Sequence, residues 1–316
     1  MRRLPATALM VPFVLRRLVL AVPTMVAASI VVFLMLHLVP GDPAIIFFGD
    51  QPVTPERLEM VRRQMGLHRP LLVQYLDFVR GIPRGDLGRS IHNRTPVFEE
   101  LRMRVGSSAQ LALAAFIVAV ALGLSLGLLS ALWRGKWIDA GAMLLALGGV
   151  SMPIFWLAAM LIFVFSLKLG WFPATGFGGW DRLVLPAMAL GFISSATLAR
   201  LVRSSVLEVL TLPFVTTARS KGLREAVVIW RHVLKNAFIA VITVMGLQFG
   251  TLLSGAVITE TVFARPGVGK LLVDAISNKD FPLVQGAVLF IALVYIIINL
   301  LVDLSYAYLD PRIRFE

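Results

Sequence analysis

The string Gly267-Val268-Gly269-Lys270 suggests a pattern that performs chemistry, the phosphate-binding loop. A phosphate-binding loop cradles its ligand with backbone N–H groups. It needs a glycine five residues before its second glycine and a Ser or Thr after its lysine. Ala264 and Leu271 occupy those two positions. The string therefore does not predict nucleotide binding by this chain.

Metal-binding and thiol chemistry have no better support in the sequence. The chain contains no cysteine, which excludes disulfides, thiolate zinc sites and cysteine nucleophiles. The pattern His-Glu-x-x-His is missing, and the histidines stand singly, without the spacing of zinc ligands. They are His37, His68, His92 and His232. We therefore expect no catalytic residue, no metal and no cofactor in this chain, which is not predicted to be an enzyme.

The composition excludes an ordinary soluble domain. Of 316 residues, 58% are hydrophobic and 15% are charged, and the mean hydropathy is +0.84. Globular proteins carry about a quarter charged residues, so this chain has too few charges to cover a single core. Its net charge of +12 would suit a nucleic-acid binder only on a polar, charge-dense body. We expect membrane lipid, and no nucleic acid, around it.

Six charge-free stretches are long enough to cross a bilayer, which requires roughly 20 consecutive apolar residues in a helix. Barrel strands are excluded because they need only about 10 residues of alternating pattern, whereas these stretches are apolar on all sides. We predict an all-α integral membrane protein with six transmembrane helices, the first an uncleaved signal anchor. The stretches are 18–38, 110–132, 140–166, 183–199, 237–259 and 281–302.

The basic residues of the short loops predict the orientation. With the N-terminus inside, the cytoplasmic side holds fifteen Lys and Arg residues and the short outer loops hold five. The remaining ten lie in the outer segment 39–109, which is long enough to translocate regardless of its charge. Both termini are therefore predicted to be cytoplasmic.

The outer segment 39–109 contains several predicted helical pieces. Thr54-Pro55 is a suitable helix start, 71–79 is too short and too polar to span, and Thr95-Pro96 opens a further amphipathic piece. A glycine-rich turn covers 81–90. These pieces are expected on the outer membrane face or against a partner, and a solvated loop without a partner is the alternative.

The inner loop 200–236 has seven basic residues against two acidic ones. Its pattern is a helix over 214–221, a break at Gly222 and a second helix over 223–234, in which Leu223, Val227, Trp230 and Leu234 recur at helical spacing. Such a pair could rest on lipid headgroups or dock a partner protein. The composition fits both.

The predicted spans have no interior Asp, Glu, Lys or Arg, the residues that carry coupling in proton-driven carriers. Glu260 and Asp303 lie at span ends, where we expect their side chains to reach the interface. Energy for active transport must then enter from another subunit. Glycine pairs four residues apart, 123/127 and 246/250, predict close helix packing. Gln248, Thr251 and Ser254 share a face of the fifth span and either line a translocation path or bond between helices.

With these loops in place, the chain resembles the permease subunits of ABC importers for dipeptides, oligopeptides, glutathione and nickel. The resemblance spans nearly the whole chain. The strings that carry it are His37-Leu38-Val39-Pro40-Gly41-Asp42-Pro43-Ala44, Asp86-Leu87-Gly88-Arg89-Ser90, Thr216-Thr217-Ala218-Arg219-Ser220-Lys221-Gly222, Arg231-His232-Val233-Leu234-Lys235-Asn236-Ala237, Pro266-Gly267-Val268-Gly269 and Leu309-Asp310-Pro311-Arg312-Ile313-Arg314.

In that family a short coupling helix of the inner loop seats in a cleft of a separate ATPase subunit. Ala218 and Gly222 occupy its alanine and glycine positions, whereas Thr216 and Thr217 replace the general Glu and Ala. Lys235 stands where the wider superfamily has proline, as in the peptide-type members. The resemblance implies a coupling surface that consists of Thr216, Thr217, Ala218, Arg219, Lys221, Gly222, Arg231 and His232.

The resemblance also implies the partners and the type I ABC importer permease fold. In the bacterial inner membrane, a second, homologous permease would complete a heterodimer. Two cytoplasmic ATPases would bind ATP and Mg, and an extracytoplasmic protein would deliver di- or oligopeptides. Asp86, Arg89 and Ser90 are candidates for contact with that binding protein. Glutathione, nickel chelates and opines are alternative substrates, and an autonomous channel or secondary carrier is the alternative class.

The implied organisation has four parts. A basic segment with the first span covers 1–38, an outer loop covers 39–108, and a permease core with the coupling loop 203–236 covers 109–305. A cytoplasmic tail covers 306–316.

Overall fold

A computed structural model of the chain describes residues 6–38, 43–48, 53–64 and 66–309. Within these ranges the regular elements are helices, and extended pairing is limited to one isolated bridge between Arg89 and Pro96. The prediction of an all-α protein is confirmed for this part of the chain. The end of the predicted tail, 310–316, and the string at 39–42 lie outside the described residues.

The helices vary from three to 36 residues in length. In chain order they are α1 (Ala6–Leu38), α2 (Pro43–Phe48), α3 (Pro55–Gln64), α4 (Leu71–Gly81), α5 (Val97–Leu132), α6 (Trp137–Ser151), α7 (Ile154–Leu161), α8 (Asp181–Leu210), α9 (Pro213–Ser220), α10 (Glu225–Val227), α11 (Leu234–Val262), α12 (Val268–Ser277) and α13 (Phe281–Leu309). Wide π-helical turns follow α7, over Ile162–Lys168, and α10, over Val228–Val233.

Three helices of the described part are long and apolar enough to cross a membrane: α5, α8 and the Phe281–Val302 portion of α13. The pair of helices between Trp137 and Lys168 passes the same test together. The described part of α1 contains a shorter apolar stretch, Val19–Leu34. These helices give the chain the composition of an integral membrane protein.

The predicted third span, 140–166, is not one straight helix. It breaks between α6 and α7, and the two helices are bent by 109° relative to each other. Pro153 explains the break, since a proline removes a helical hydrogen bond and disfavours helical backbone at the residue before it. Met152 has an extended ψ of 129°.

The predicted amphipathic piece after Thr95-Pro96 is likewise not a separate helix. It forms the first turns of α5, which continues through position 108 to Leu132. Pro96 precedes the first helical residue, where a missing N–H costs no helical hydrogen bond. The outer loop and the second predicted span thus share one 36-residue helix.

The core of the fold is the packing of α5 along α8, made close by glycines. A Cβ on Gly127 would lie 2.5 Å from the carbonyl oxygen of Ala199, and one on Gly123 would lie 2.8 Å from Cβ of Leu198. A Cβ on Gly246 would similarly lie 2.8 Å from the side chain of Val302 on α13. The prediction that these glycines allow helix backbones to approach is confirmed.

The outer segment is anchored on α1 by aromatic contacts. Tyr75 of α4 hydrogen-bonds with Ser29 at 2.9 Å, and its ring lies 5.4 Å from that of Phe33. Phe78 also stacks on Phe33. The predicted helix start at Pro55 is confirmed as the first residue of α3. The predicted helical piece 71–79 is confirmed as part of α4.

Candidate functional site

The short helix α9 is the centre of the predicted coupling surface. It begins with Pro213, whose fixed φ suits a first helical turn. It ends before Gly222, which has a left-handed φ of +75° and donates a 2.9 Å hydrogen bond to the carbonyl of Arg219. Only glycine adopts that backbone without strain, so the predicted break at Gly222 is confirmed.

Two apolar residues seat α9 against the ends of the long helices. Val215 and Ala218 are buried, and the small Ala218 lets α9 lie close to its neighbours. The buried cluster around them includes Val202, Val206 and Val209 of α8, Val228 and Val233 of the π-helical turn, and Leu234, Ala237 and Val241 of α11. This buried cluster connects α9 to both α8 and α11.

The opposite face of α9 is exposed and mixes basic and apolar groups. Its apolar neighbours include Trp230, of which 69% is exposed, together with Phe214 and Leu223. Arginine and aromatic side chains are enriched in protein interfaces. Thr216, Thr217, Arg219, Lys221, Gly222 and Arg231 are exposed, and His232 is half-buried.

Arg219 is held by a partner that the sequence analysis did not identify. Its guanidinium donates hydrogen bonds of 2.5 and 3.1 Å to the two carboxylate oxygens of Glu225, across the Gly222 turn. These hydrogen bonds lower the pKa of Glu225 below its ordinary value of 4.5, against an opposing effect of burial. The pair fixes the direction in which Arg219 points.

The predicted second helix of the inner loop, 223–234, differs from the observed helix at both ends. The chain becomes helical at Glu225 and then runs through the π-helical turn directly into α11. The residues that turn inward are Val228 and Val233, whereas Val227 and Trp230 are exposed. Contact with α8 and α9 sets this register, which helical spacing alone does not determine.

The polar residues of α11 are only partly brought together. Gln248 donates a 2.7 Å hydrogen bond to the carbonyl of Ser194 on α8, which is a bond between helices. Thr251 is exposed and donates to the carbonyl of Gln248 at 2.8 Å. The side chain of Ser254 lies outside the described residues. For Gln248, the interpretation as an interhelical bond is confirmed.

A cavity of about 30 Å³ lies between α5, α11, α12 and α13. Its walls are mostly apolar and include Gly250, Phe290 and Tyr295, with the hydroxyl-bearing Ser108 among them. A water molecule fits such a volume, but a peptide does not. A path for a peptide therefore needs surfaces beyond this cavity.

On the outer side, the three candidates for contact with a binding protein separate into two groups. Asp86 and Arg89 are exposed. Ser90 is only 2% exposed, and its hydroxyl donates to Asp280. Asp280 also accepts hydrogen bonds from the backbone of Ile91 and Leu283. Ser90 thus has a structural role here, joining the outer loop to the start of α13.

Glu260 contradicts the expectation that its side chain reaches the interface. It is fully buried at the C-terminal end of α11. One carboxylate oxygen accepts a 2.5 Å hydrogen bond from Ser108 of α5, and the other accepts backbone hydrogen bonds from Gly269 and Lys270 at 2.8 and 3.1 Å. The first N–H groups of a helix and its dipole stabilise such a carboxylate. The Gly267–Lys270 string therefore binds a carboxylate of its own chain.

Gly267 and Gly269 are required by this arrangement. A Cβ on Gly267 would lie 2.1 Å from the carboxyl carbon of Glu260, and one on Gly269 would lie 2.5 Å from Cα of Val257. Any larger residue would displace Glu260 or separate α12 from α11. The N-terminal third of α5, the C-terminal end of α11 and the start of α12 are thus joined at one buried carboxylate.

The segment Gly123-Leu124-Ser125-Leu126-Gly127 matches the Gly-x-Ser-x-Gly pattern of a hydrolase nucleophile elbow. An elbow is a sharp turn from strand to helix. Here the string lies inside α5, and its two glycines pack against α8. The serine is therefore not presented as a nucleophile.

Comparison with known proteins decides the family. Residues 123–315 match the family described as binding-protein-dependent transport system inner membrane component, and residues 10–112 match the N-terminal family of the same systems. The chain belongs to this permease family. It is therefore an inner membrane component of an ABC transporter.

The permease is similar to curated relatives over almost its whole length. It is 40% identical over 307 residues to the glutathione transport system permease protein GsiC of Escherichia coli strain K12, covering 97% of this chain and 100% of the relative. It is 39% identical over 334 residues to the dipeptide transport system permease protein DppB of Alkalihalophilus pseudofirmus, with the same coverage.

Solved structures of ABC transporters share the fold of the permease. An inward-facing MetNI methionine transporter matches with a TM-score of 0.57 and 18% identity, over 67% of this chain and 96% of that chain. An amino acid ABC transporter matches with a TM-score of 0.54 and 16% identity, over 66% and 93%. These likenesses establish the fold of the permease.

The roles of three acidic residues of this permease were not predicted from the sequence. Glu225 and Asp280 gave no signal, because their partners Arg219 and Ser90 are brought close only by the fold. Glu260 did give a signal, because it is an acidic residue at a span end and a Gly-x-Gly string follows it within ten residues. That combination is compatible with a carboxylate at a helix N-terminus.

Proposed function

We propose that this chain is a permease subunit of an ATP-driven importer of di- and oligopeptides. Its membership of a binding-protein-dependent transport family and its similarity to permeases named for dipeptides and glutathione support the proposal. Glutathione, nickel chelates and opines remain alternative substrates of the same class. The chain itself would carry no cofactor, with ATP and Mg bound by separate ATPase subunits.

The proposed topology has six spans and cytoplasmic termini. The spans are α1, α5, the bent pair α6 and α7, α8, α11 and α13, and the excess of basic residues in the inner loops supports the orientation. α9 then lies in the cytoplasm, and α3, α4 and α12 lie outside. The division into segments 1–38, 39–108, 109–305 and 306–316 belongs to the same proposal.

The observation that carries the proposal is the seating of α9. Val215 and Ala218 fix it to α8 and α11, while Arg219, held by Glu225, and Lys221 remain exposed. A rigid helix that is packed on one face and free on the other is suited to transmit the movement of a docked ATPase. We propose that ATP binding displaces α9 and, through it, the long helices, by the rocking motion common to transporters.

The other partners follow from the same function. A second, homologous permease would complete the path, with Thr251 and Ser254 as candidate lining residues of this subunit, whereas Gln248 bonds to α8. An extracytoplasmic binding protein would contact the exposed Asp86 and Arg89.

Substitution of Gly222 tests the coupling role. Gly222→Glu imposes strain and negative charge on the exposed coupling surface, and we expect ATPase association and ATP-dependent uptake to fall together. Gly170→Glu is the matched control: Gly170 also has a left-handed φ, +64°, and no atom lies within 4 Å of an added Cβ, but it lies in the outer loop before α8. Arg219→Glu is expected to act like Gly222→Glu. The coupling role is refuted if Gly222→Glu and Arg219→Glu behave like the control.

A further inference from the structure

Arg265, in the turn between α11 and α12, is buried without a carboxylate partner among the described residues. Only 1% of its surface is exposed. Its guanidinium donates to neutral oxygens, the carbonyl of Ser107 at 3.4 Å and the side-chain oxygen of Gln110 at 3.1 Å. Its Nη1 makes no hydrogen bond to any described residue. A buried cation in this state is costly, because desolvation is not repaid by an ion pair.

The nearby carboxylate does not solve this problem. Glu260 attracts Arg265 electrostatically, but its oxygens accept their hydrogen bonds from Ser108 and from the start of α12. The hydroxyl of Ser107, the residue whose carbonyl contacts Arg265, also has no hydrogen-bond partner in the described part of the chain. Two unpaired polar groups thus belong to one buried cluster, and buried polar groups are normally hydrogen-bonded.

One aromatic side chain covers Arg265 towards the outside. The ring centre of Phe177 lies 4.9 Å from Cζ of Arg265, and 44% of the Phe177 surface is exposed. Its neighbours Gly176 and Gly178 have φ angles of +106° and +139°, which other residues rarely adopt. This glycine-rich loop is bound to the turn after α11 by the Gly176 N–H, which donates to the carbonyl of Phe263 at 2.9 Å. Rotation of the Phe177 side chain would open Arg265 to the outer side.

We propose that Arg265 is a binding site for the carboxylate of a peptide that enters from the outer side, with Phe177 as its cover. A carboxylate offers two acceptor oxygens in the geometry that a guanidinium fork recognises. Nη1 of Arg265 supplies the charged donor, and Ser107 can supply a hydroxyl. The inference rests on the proposed function and adds to it a specific contact for the peptide terminus.

The experiment compares Ala-Ala-Ala with its C-terminal amide, which lacks the carboxylate. The first measurement is calorimetric binding to the purified permease–ATPase complex without binding protein. We expect the acid to bind about tenfold more tightly than the amide, the effect of a charge-assisted hydrogen bond. Arg265→Gln should abolish this preference, and Arg265→Lys should keep part of it. Lys270→Gln is the control. It removes a nearby positive charge on the exposed side and should leave the preference for the acid over the amide unchanged.

The second measurement is ATP-dependent uptake with saturated binding protein. We expect Arg265→Gln to lower uptake of the acid about tenfold relative to uptake of the amide. An equal loss for both peptides would overturn the site and leave a structural role for Arg265. Equal binding of acid and amide to the wild-type complex would overturn it whether or not uptake is seen. A wild-type complex that binds the acid but shows no uptake would instead contradict the proposed function.

Discussion

The guanidinium of Arg203 donates two hydrogen bonds of 3.0 Å to the two carboxylate oxygens of Asp139. Asp139 also accepts hydrogen bonds from the hydroxyl of Ser130 and from the N–H of Gly135, the latter at 3.0 Å. One carboxylate therefore joins the end of α5, the start of α6 and the C-terminal third of α8. These helices are expected to move as one body when α9 is displaced.

Breaking this junction is expected to destabilise the permease. Asp139→Asn removes the charge that Arg203 binds and leaves a partly buried guanidinium without its partner. The melting temperature in detergent should fall, and Arg203→Lys, which cannot form the paired geometry, should act in the same direction. Arg200→Lys, at an exposed position of α8, is the control. Equal melting temperatures for all these variants would show that the junction contributes nothing.

The close approach of α5 and α8 gives a second prediction. Gly127→Ala places a methyl group 2.5 Å from a carbonyl oxygen of α8, and overpacking of this kind costs about 1 to 3 kcal/mol. Gly141→Ala, in α6 with no atom within 4 Å of the new methyl group, should be neutral or stabilising by up to about 1 kcal/mol. Reversible unfolding measures both. A neutral Gly127→Ala would mean that the helices separate without cost.

The buried carboxylate of Glu260 gives a third prediction. Glu260→Gln weakens the hydrogen bonds to Ser108 and to the first N–H groups of α12, and we expect a loss of about 2 kcal/mol or more. Limited proteolysis should then cut the segment around α12 faster. Asp274→Asn breaks only the exposed ion pair with Lys270 and should cost less than about 1 kcal/mol. If the two variants are cut at the same rate, Glu260 does not anchor α12.

The ion pair of the coupling surface predicts a pH dependence. Hydrogen bonding to Arg219 lowers the pKa of Glu225 below 4.5. A group with a lowered pKa contributes stability above its unfolded value, and that stability is lost as the pH falls through the folded value. The pair should therefore stay intact between about pH 5 and 8. In an NMR titration, Arg219→Gln should raise the pKa of Glu225, and an unchanged pKa would exclude the pair in solution.

The helical class and the close-packing glycines could be predicted because apolar length and small-residue spacing are local properties. The turn at Gly222 was also predictable, because glycine is the residue that most readily adopts a left-handed backbone. The bend at Pro153 had a local signal that the apolar run obscured. The environments of Glu225 and Ser90 could not be predicted, because each depends on a partner that reaches it only in the folded chain.

The buried face of the inner loop could not be predicted for the same reason. Helical spacing placed Val227 and Trp230 on one face but did not show which face would be buried. The choice was made by Val215 and Ala218 of α9, which pack against Val228 and Val233. The exposed apolar face with Val227 and Trp230 adjoins the coupling surface that we propose docks the ATPase.

Uptake of labelled Ala-Ala-Ala into proteoliposomes tests the central claim most directly. The permease is reconstituted either alone or with its second permease and ATPase subunits, and the binding protein is added outside. The account predicts uptake only by the full assembly with ATP, and its loss with Gly222→Glu but not with Gly170→Glu. Uptake by the single chain, without ATPases or ATP, would contradict the account and establish an autonomous channel or carrier.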